Sequence, residues 1–375
     1  MKKIFTVLTS IALTFALSFS AAFASDDALI KSQKYLKTIT LDSPDAVIAY
    51  EATGMEADYK ADALLNNFKE TDYTTASYGD LAKSIIAISL LGENPKDFNK
   101  TNLVEILENR VQEDGTLTND VNGGCGATIW TLMALETVNS PKVKAVADKL
   151  STMAMENGAY WYEYQGQNAD LDTTGWAMEA LSVAGRSTYD AAISKAYTFV
   201  QSKLNSTDGY FDNWGGNADT QSCVLEGLSV AGYTLDTNAY SYLLSYQNED
   251  GTFNALNYST GQLEPNAYAS VEGARALGVI NHESFVLKAR QDYTNTTTPV
   301  VTEPEKPTTP TTPTTPTTPN TTTPAVKPET TTTTEPKKET VKAVNTGDNT
   351  NVMAYVVAAI AAVGVIVLVI KSKKK

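Results

Sequence analysis

Residues 179–185 read Glu-Ala-Leu-Ser-Val-Ala-Gly, and residues 226–232 repeat them with one change as Glu-Gly-Leu-Ser-Val-Ala-Gly. Similar helical segments, each ending in a small turn residue, recur at intervals of 46 or 47 residues. They end at Gly92, Asn139, Gly185, Gly232 and Gly278, and a shorter copy ends at Gly54. A fixed period of this size is the signature of a repeat architecture. The sequence therefore predicts six copies of one helical unit.

In each copy a second helix precedes the segment that ends in the small turn residue. These helices are predicted over residues 30–39, 61–68, 103–111, 143–155, 189–204 and 238–246. Four of them lead into an Asn-Gly or Asp-Gly turn, and no stretch alternates apolar and polar residues over a useful length, so few strands are expected. An open array of repeats needs distinct end caps, whereas six near-equal copies favour closure. We predict an all-α (α/α)6 toroid of six helix pairs over residues 25–295.

The first 24 residues are interpreted as a secretory signal peptide. Lys2 and Lys3 precede an apolar run over residues 4–19, and Ala22-Phe23-Ala24 forms a small-x-small cleavage site. This order of a charged, an apolar and a cleavable segment is typical of secreted proteins. The alternative is an uncleaved membrane anchor.

Residues 296–342 are almost all Thr, Pro, Glu and Lys, with proline at every third position from Pro304 to Pro319. Such a composition does not build a packed core and favours extended polyproline II. We therefore predict a disordered Thr/Pro-rich linker that acts as a semi-rigid stalk.

Residues 343–375 are predicted to anchor the chain. Residues 352–370 carry no charge and are followed by lysines, as expected of one C-terminal transmembrane helix with a cytoplasmic end. Thr346-Gly347 before this span resembles the sorting signal that sortases cleave to link Gram-positive proteins to peptidoglycan, but Ala343 and Val344 replace the usual Leu-Pro. Covalent wall attachment and simple membrane anchoring both remain open. Either predicts an extracellular domain on the cell surface.

Residues 238–253 resemble the QW repeat of squalene and hopene cyclases and of protein prenyltransferase β subunits, with Phe253 in place of the tryptophan. The resemblance implies the toroid fold, which terpene cyclases, prenyltransferases, complement-type thioester domains and cobalamin carriers share. Residues 170–174 also resemble the acid motif of class II terpene cyclases, and with residues 175–178 the Asp-Thr run of the cobalamin carriers. This implies Asp170 and Asp172 as catalytic candidates. However, Thr173 stands where the family has its proton-donating Asp, and Asp172 could instead cap its helix.

Composition excludes several kinds of site. The single histidine, His282, rules out paired-histidine metal motifs, and two cysteines are too few for a disulfide scaffold or a four-thiolate zinc site. Cys125 lacks the Glu-Gln pair of a thioester domain, and Cys125 and Cys223 are expected to be unpaired thiols because their repeats are not neighbours. A formal net charge of −14 argues against binding nucleic acid. We expect neither a metal nor a cofactor.

The repeat-ending helices place acidic and aromatic residues on one face. Positions 13, 9, 6 and 2 before each terminal residue lie three or four apart and share a helix face. All four tryptophans fall in repeats three to five, either on this face or in the loops before it. The predicted ligand-binding residues are Trp161, Tyr162, Tyr164, Asp172, Trp176, Glu179, Asp212, Trp214, Asp219, Glu226 and Glu272.

Flat aromatic surfaces beside carboxylates suit a large, partly polar small-molecule or glycan ligand. We therefore predict a surface-tethered binding module with an aromatic and acidic pocket on one rim of the toroid, for a cobalamin-like or glycan ligand. Two alternatives remain. One is a toroid-class enzyme, either similar to class II terpene cyclases or acting on carbohydrates through carboxylates. The other is a non-catalytic adhesion or spacer domain.

Overall fold

A computed structural model describes residues 26–56, 68–120, 124–213 and 215–297. The predicted signal peptide, most of the stalk, the anchor with Thr346 and Gly347, and the loop residue Trp214 lie outside these ranges. In the described part no helix is both long and apolar enough to cross a membrane. The helices are α1 Asp26–Leu36, α2 Pro44–Ala52, α3 Tyr78–Leu90, α4 Leu103–Glu108, α5 Gly126–Thr137, α6 Val143–Ser151, α7 Leu171–Gly185, α8 Asp190–Ser202, α9 Ala218–Val230, α10 Thr237–Leu244, α11 Ala267–Asn281 and α12 Phe285–Thr297. The strands are β1 Tyr160–Glu163, β2 Gln167–Asp170, β3 Phe253–Asn257 and β4 Gln262–Asn266.

The helix-rich class predicted from the sequence is confirmed. Helices α2, α3, α5, α7, α9 and α11 end the six repeats, and we call them the repeat-end helices. The leading helices are α1, α4, α6, α8 and α10, while the predicted helix over residues 61–68 lies almost entirely outside the described ranges. The leading helices have one buried face, as in α6 with Val146, Ala147 and Leu150, which is the pattern of a helix with one side in water.

The repeat-end helices are buried on most sides and contact each other in cyclic order. Each packs against the repeat-end helix of the next repeat, and α11 packs against α2. The first leading helix, α1, packs mainly against α11. The sixth repeat thus contacts the first.

The turn glycines repeat the same cyclic order. They are Gly115, Gly158, Gly209 and Gly251, all with φ between 82° and 92°. A Cβ added at Gly209 would lie 2.3 Å from the carbonyl oxygen of Asn238, at the start of the next leading helix. At Gly251 it would lie 2.0 Å from the carbonyl oxygen of Lys31 in α1. Only glycine permits this close approach of two backbones, so the last turn packs on the first helix as each earlier turn packs on the next.

Helix α12 was not expected and lies at the carboxyl ends of repeat-end helices. It contacts α3 and α5, and to a lesser extent α2. Lys288 pairs with Glu51 in the last turn of α2 at 2.8 Å, and Arg290 pairs with Glu136 in the last turn of α5. The helix runs to Thr297, two residues into the segment assigned to the linker, and so ties the end of the domain to its core.

Two hairpins lie at the opposite, amino-terminal ends of the repeat-end helices. β1 pairs with β2 directly before α7, and β3 pairs with β4 directly before α11. Both are short, so they do not change the helical class. Each is an antiparallel pair of strands at the edge of an otherwise helical domain.

Candidate functional site

Asp170, and not Asp172, caps helix α7. The Asp170 carboxylate accepts hydrogen bonds from the Thr173 backbone N–H at 2.8 Å and from the Thr173 hydroxyl at 2.6 Å. This satisfies one of the amide groups that a helix start leaves free. The alternative interpretation of Asp172 as the cap is therefore wrong, and its carboxylate, two residues further on, is left for other contacts.

The equivalent caps correct the register of the sixth repeat. Asn217 caps α9 and Asn266 caps α11 by the same three-residue hydrogen bond. Counted from these caps, Glu272 aligns with Trp176 rather than with Glu179. The terminal-residue count failed because α11 runs three residues past Gly278. Gly278 is not a helix end but a close contact, where a Cβ would lie 2.5 Å from the backbone of Ala52 in α2.

Alignment on the caps gives three levels on one face, which we call the acidic face. The upper level is Asp172, Asp219 and Tyr268, the middle level is Trp176, Cys223 and Glu272, and the lower level is Glu179, Glu226 and Arg275. Contacts between neighbouring helices follow these levels. The Cys223 sulfur lies 3.9 Å from Glu272 Oε2 in the middle level, and Arg275 bonds Glu226 in the lower one.

The lower level is a buried network, although Glu179 Oε2 and Arg275 Nη2 have no hydrogen-bond partner among the described residues. Arg275 Nε lies 3.0 Å from each oxygen of the Glu226 carboxylate, and the Arg275 side chain is 1% exposed. The Ser284 hydroxyl donates to Glu179 Oε1 at 2.8 Å. Burial, together with the adjacent Glu226 charge, raises the pKa of Glu179 well above its usual range. Glu179 and Glu226 were predicted to contact a ligand, but both are fully buried, so the structure gives them a role inside the core.

The middle level joins the core to the half-buried part of the face. Glu272 is 3% exposed. Burial and the charge of Asp219 raise its pKa to about 8 against the opposing effect of Arg275. Trp176 is half-buried and meets Trp130 of α5 edge to face, with ring centroids 5.7 Å apart. Its indole nitrogen is buried and has no hydrogen-bond partner among the described residues.

The upper level is partly open. Asp172 and Asp219 are half-buried, and Tyr268 is 47% exposed. Burial and the charge of the neighbouring Asp172 together raise the pKa of Asp219 to about 7. Burial and the nearby Asp170 raise the pKa of Asp172 well above its usual range. The buried oxygen Oδ1 of Asp219 has no hydrogen-bond partner within the described part of the chain.

Asn213 connects the loop of repeat five to the start of α7. Its amide nitrogen lies 2.9 Å from Asp170 Oδ1, 3.2 Å from Asp172 Oδ1 and 3.2 Å from the Thr220 hydroxyl. The loop of repeat five therefore lies at the amino-terminal end of α7. Asn213 was not among the predicted site residues, although its neighbours Asp212 and Trp214 were.

The other side of the acidic face carries an internal cation. Lys83 of α3 pairs with Asp45 of α2 at 2.9 Å, and its nitrogen lies 4.6 Å from the centre of the Trp130 ring. Neither Lys83 nor Asp45 was among the predicted site residues. Each lies in the first two turns of a helix that begins after a serine cap, Ser43 for α2 and Ser77 for α3, and these caps could have drawn attention to them.

Two predicted loop residues have other contacts. Trp161 is half-buried against the core, and its indole nitrogen donates to the Met153 carbonyl at 3.1 Å. Asp212 is exposed and accepts a hydrogen bond from the Gly215 N–H at 3.1 Å, which stabilises its own turn. Neither is brought to the acidic face by a described contact.

The hairpin tyrosines lie closer to it. Tyr162 and Tyr164 are both half-buried. Burial raises the pKa of Tyr162, and so do the charges of Asp170 and Asp172, which places this ring beside the upper level. Trp214 belongs to the same predicted set and lies outside the described residues.

Both cysteines are buried and unpaired, as predicted. Burial raises the pKa of Cys125 to about 11 and that of Cys223 well above its usual value. Thiols held in this state are poor nucleophiles. In the ranges that the structure describes, no group of three or more His, Cys, Asp and Glu side chains is placed to hold a metal ion.

Comparisons with protein-family models and with curated proteins find no match to the chain. Among solved structures, the chain is similar to a crystal structure of a protein from Actinoplanes, with 14% sequence identity and a TM-score of 0.44. The match covers 71% of this chain and 90% of that one.

Proposed function

We propose that residues 25–295, continued by the end of α12, form a closed (α/α)6 toroid displayed outside the cell. The cyclic contacts of the repeat-end helices and the packing of Gly251 on Lys31 support closure. The predicted signal peptide, stalk, sorting-like Thr346-Gly347 and transmembrane helix support surface display. Extraction of cells with detergent, compared with release by a muramidase, separates a membrane anchor from a sortase-made link to peptidoglycan.

The toroid binds a small-molecule or glycan ligand, cobalamin-like corrinoids included, at the upper and middle levels of the acidic face. α12 packs at the carboxyl ends of the repeat-end helices, and the hairpins lie at the amino ends, so the ligand enters from the hairpin side. One observation carries this proposal. Asp219 and Trp176 each hold a buried polar atom that no described residue satisfies, and leaving such groups unpaired is costly unless water or a ligand bonds them.

A thermal-shift screen of the purified protein with corrinoids, soluble glycans and peptidoglycan fragments tests the proposal. A ligand that binds the folded state raises the melting temperature by mass action. The rise should disappear in Trp176→Leu and Asp219→Asn variants that still fold. A screen without any stabilising compound would favour the adhesion or spacer alternative.

The raised pKa values of Glu272 and Asp219 favour a second candidate function, that of an enzyme that uses a general acid. A carboxyl with a pKa near the working pH can donate a proton to a substrate, and Glu272 and Asp219 meet this condition. Asp170 is less suited because its oxygens serve the helix cap and Asn213. Incubation with glycans or isoprenoids, followed by product analysis of the wild type and of Glu272→Gln, distinguishes turnover from binding alone.

A further inference from the structure

Trp176 of the acidic face contacts Trp130 of α5, and Trp130 already holds a cation. Lys83 lies over the Trp130 ring and pairs with the Asp45 carboxylate. An aromatic face and a carboxylate together form a favourable site for an ammonium group, because the ring quadrupole and the negative charge act in the same direction. The fold therefore supplies its own example of an ammonium group bound beside the acidic face.

The second tryptophan has the carboxylates without the cation. Asp172 lies one helical turn before Trp176 on α7, and Asp219 has the equivalent position on the adjacent helix α9. Within the described residues no ion pair is formed by either carboxylate: Asp172 accepts from the neutral amide of Asn213, and the buried oxygen Oδ1 of Asp219 has no hydrogen-bond partner. The cations Lys83 and Arg275 are already paired, Lys83 with Asp45 and Arg275 with Glu226.

We propose that Asp172, Asp219 and Trp176 bind the ammonium group of an organic cation, as Asp45 and Trp130 hold Lys83. This inference rests on the proposed ligand-binding function and narrows its ligand class. The unpartnered Trp176 indole nitrogen adds a donor for an oxygen close to the ammonium. Among glycans, an amino sugar with free amines fits this pair of requirements, whereas its N-acetylated form lacks the charge.

Protons compete with such a ligand. The titratable groups that interact with Asp219 are Asp172 on α7, Glu272 on α11 and Tyr246 after α10. Glu272 in turn interacts with Tyr268 and with the paired cations Arg275 and Lys83. Without a bound cation the acidic groups favour their neutral forms, as the raised pKa values of Asp172 and Asp219 show. A permanent cation must displace these protons, so it should bind more tightly as the pH rises from 6 to 8.

Calorimetric titration of the full protein with two matched pairs of probes tests the inference. The pairs are the glucosamine tetrasaccharide against the N-acetylglucosamine tetrasaccharide, and choline against its neutral isostere 3,3-dimethylbutanol. At least one charged probe should bind about tenfold more tightly than its neutral partner, since a charge-assisted bond contributes that much. Asp219→Asn should remove this preference and the pH dependence of choline binding. Asp97→Asn removes an exposed carboxylate after α3 and should change neither.

Three results would overturn the inference: equal affinity within both pairs, no binding of either charged probe, or an unchanged preference in Asp219→Asn. If Asp219→Asn does not fold, Trp176→Leu provides the same comparison. The proposed function has a separate outcome. A neutral glycan or a corrinoid that binds and depends on Trp176 would uphold the pocket and reject its cationic ligand.

Discussion

The lower and upper levels of the acidic face lie on the same three helices, α7, α9 and α11. Their carboxylates nevertheless have opposite surroundings. In the lower level, Arg275 neutralises Glu226, and Ser284 bonds Glu179, with all four side chains buried. In the upper level, Asp172 and Asp219 form no ion pair within the described residues, and the adjacent Tyr268 is 47% exposed. A cation supplied by the chain makes the carboxylates of the lower level part of the core. The carboxylates of the upper level lack such a cation and lie at an open end, which is why we propose the binding site there.

The largest expected effect comes from removing the cation of the lower level. Arg275→Met leaves Glu226 buried and unpaired, which should lower the free energy of unfolding by about 3–5 kcal/mol. Urea unfolding followed by circular dichroism measures the change. Lys144→Met is the matched control, because it removes one partner of an exposed pair with Asp148 and should cost less than about 1 kcal/mol.

Equal losses in these two variants would show that the lower level does not depend on its ion pair. We also expect a rescue, in which Glu226→Leu restores stability to Arg275→Met. An apolar pair of similar volume is often as stable as a buried ion pair.

The contact that closes the cycle should have the next largest effect. Gly251→Ala combines a left-handed backbone with a clash against the Lys31 carbonyl, and should cost about 2–4 kcal/mol. Gly261→Ala is the control, since its φ of 70° is similar and nothing lies within 4 Å of the added carbon. That control should lose only about 1 kcal/mol. Similar melting temperatures for the two variants would mean that α1 does not pack on this turn.

Stability should fall as the pH rises from 5 to 8. The pKa of Glu272 is raised to about 8 in the folded protein and is about 4.3 in an unfolded chain. The folded state therefore binds more protons across this interval, and the stabilisation present at low pH is lost as the pH passes the folded value. Urea midpoints at several pH values measure the slope. Glu272→Gln should flatten the profile, leaving the part due to Asp219 and Glu179, and an unchanged slope would show that Glu272 does not titrate there.

The two indole nitrogens should give the smallest and most specific contrast. Trp161→Phe removes a hydrogen bond to the Met153 carbonyl and should cost about 1 kcal/mol of stability without affecting ligand binding. Trp176→Phe removes a nitrogen that has no described partner. It should weaken ligand binding, but it should not lower the stability by the cost of a lost hydrogen bond. Thermal unfolding and calorimetry on both variants give the four values. A reversal of the pattern would place the site at the hairpin instead.

The repeat period was sufficient to predict the helices, because their ends and turns depend on local chemistry. Left-handed residues end the helices at Gly54, Gly92, Asn139 and Gly232 as that pattern indicates. Gly278 was misleading because glycine also serves close helix packing, and a sequence does not distinguish the two uses. As a result, the sequence alignment of α11 was shifted by three residues. Arg275 and Tyr268 were therefore not assigned to the face that carries Glu226 and Asp219.

Part of the arrangement of these side chains could be predicted from the sequence. Asp172, Trp176, Asp219 and Glu272 do share a face, since spacing along a helix fixes their direction. The sequence could not show that Glu226 would be neutralised, because its partner lies 49 residues away on another helix. Nor could it show that Trp161 turns towards the core, since a half-buried strand presents its two faces to different surroundings.

The packing of α1 on α11 has a consequence for how the protein acquires its structure. The Gln247 amide bonds the Ala28 carbonyl across 219 residues, whereas the Asn238 amide reaches Ser206 across only 32. Bringing the distant ends together costs about 2 kcal/mol more in chain entropy than joining neighbours. During synthesis the middle repeats can assemble in order as they emerge, but α1 lacks its partner until the last helix pair is complete. Folding should therefore be gradual along the chain and end in one late, cooperative step.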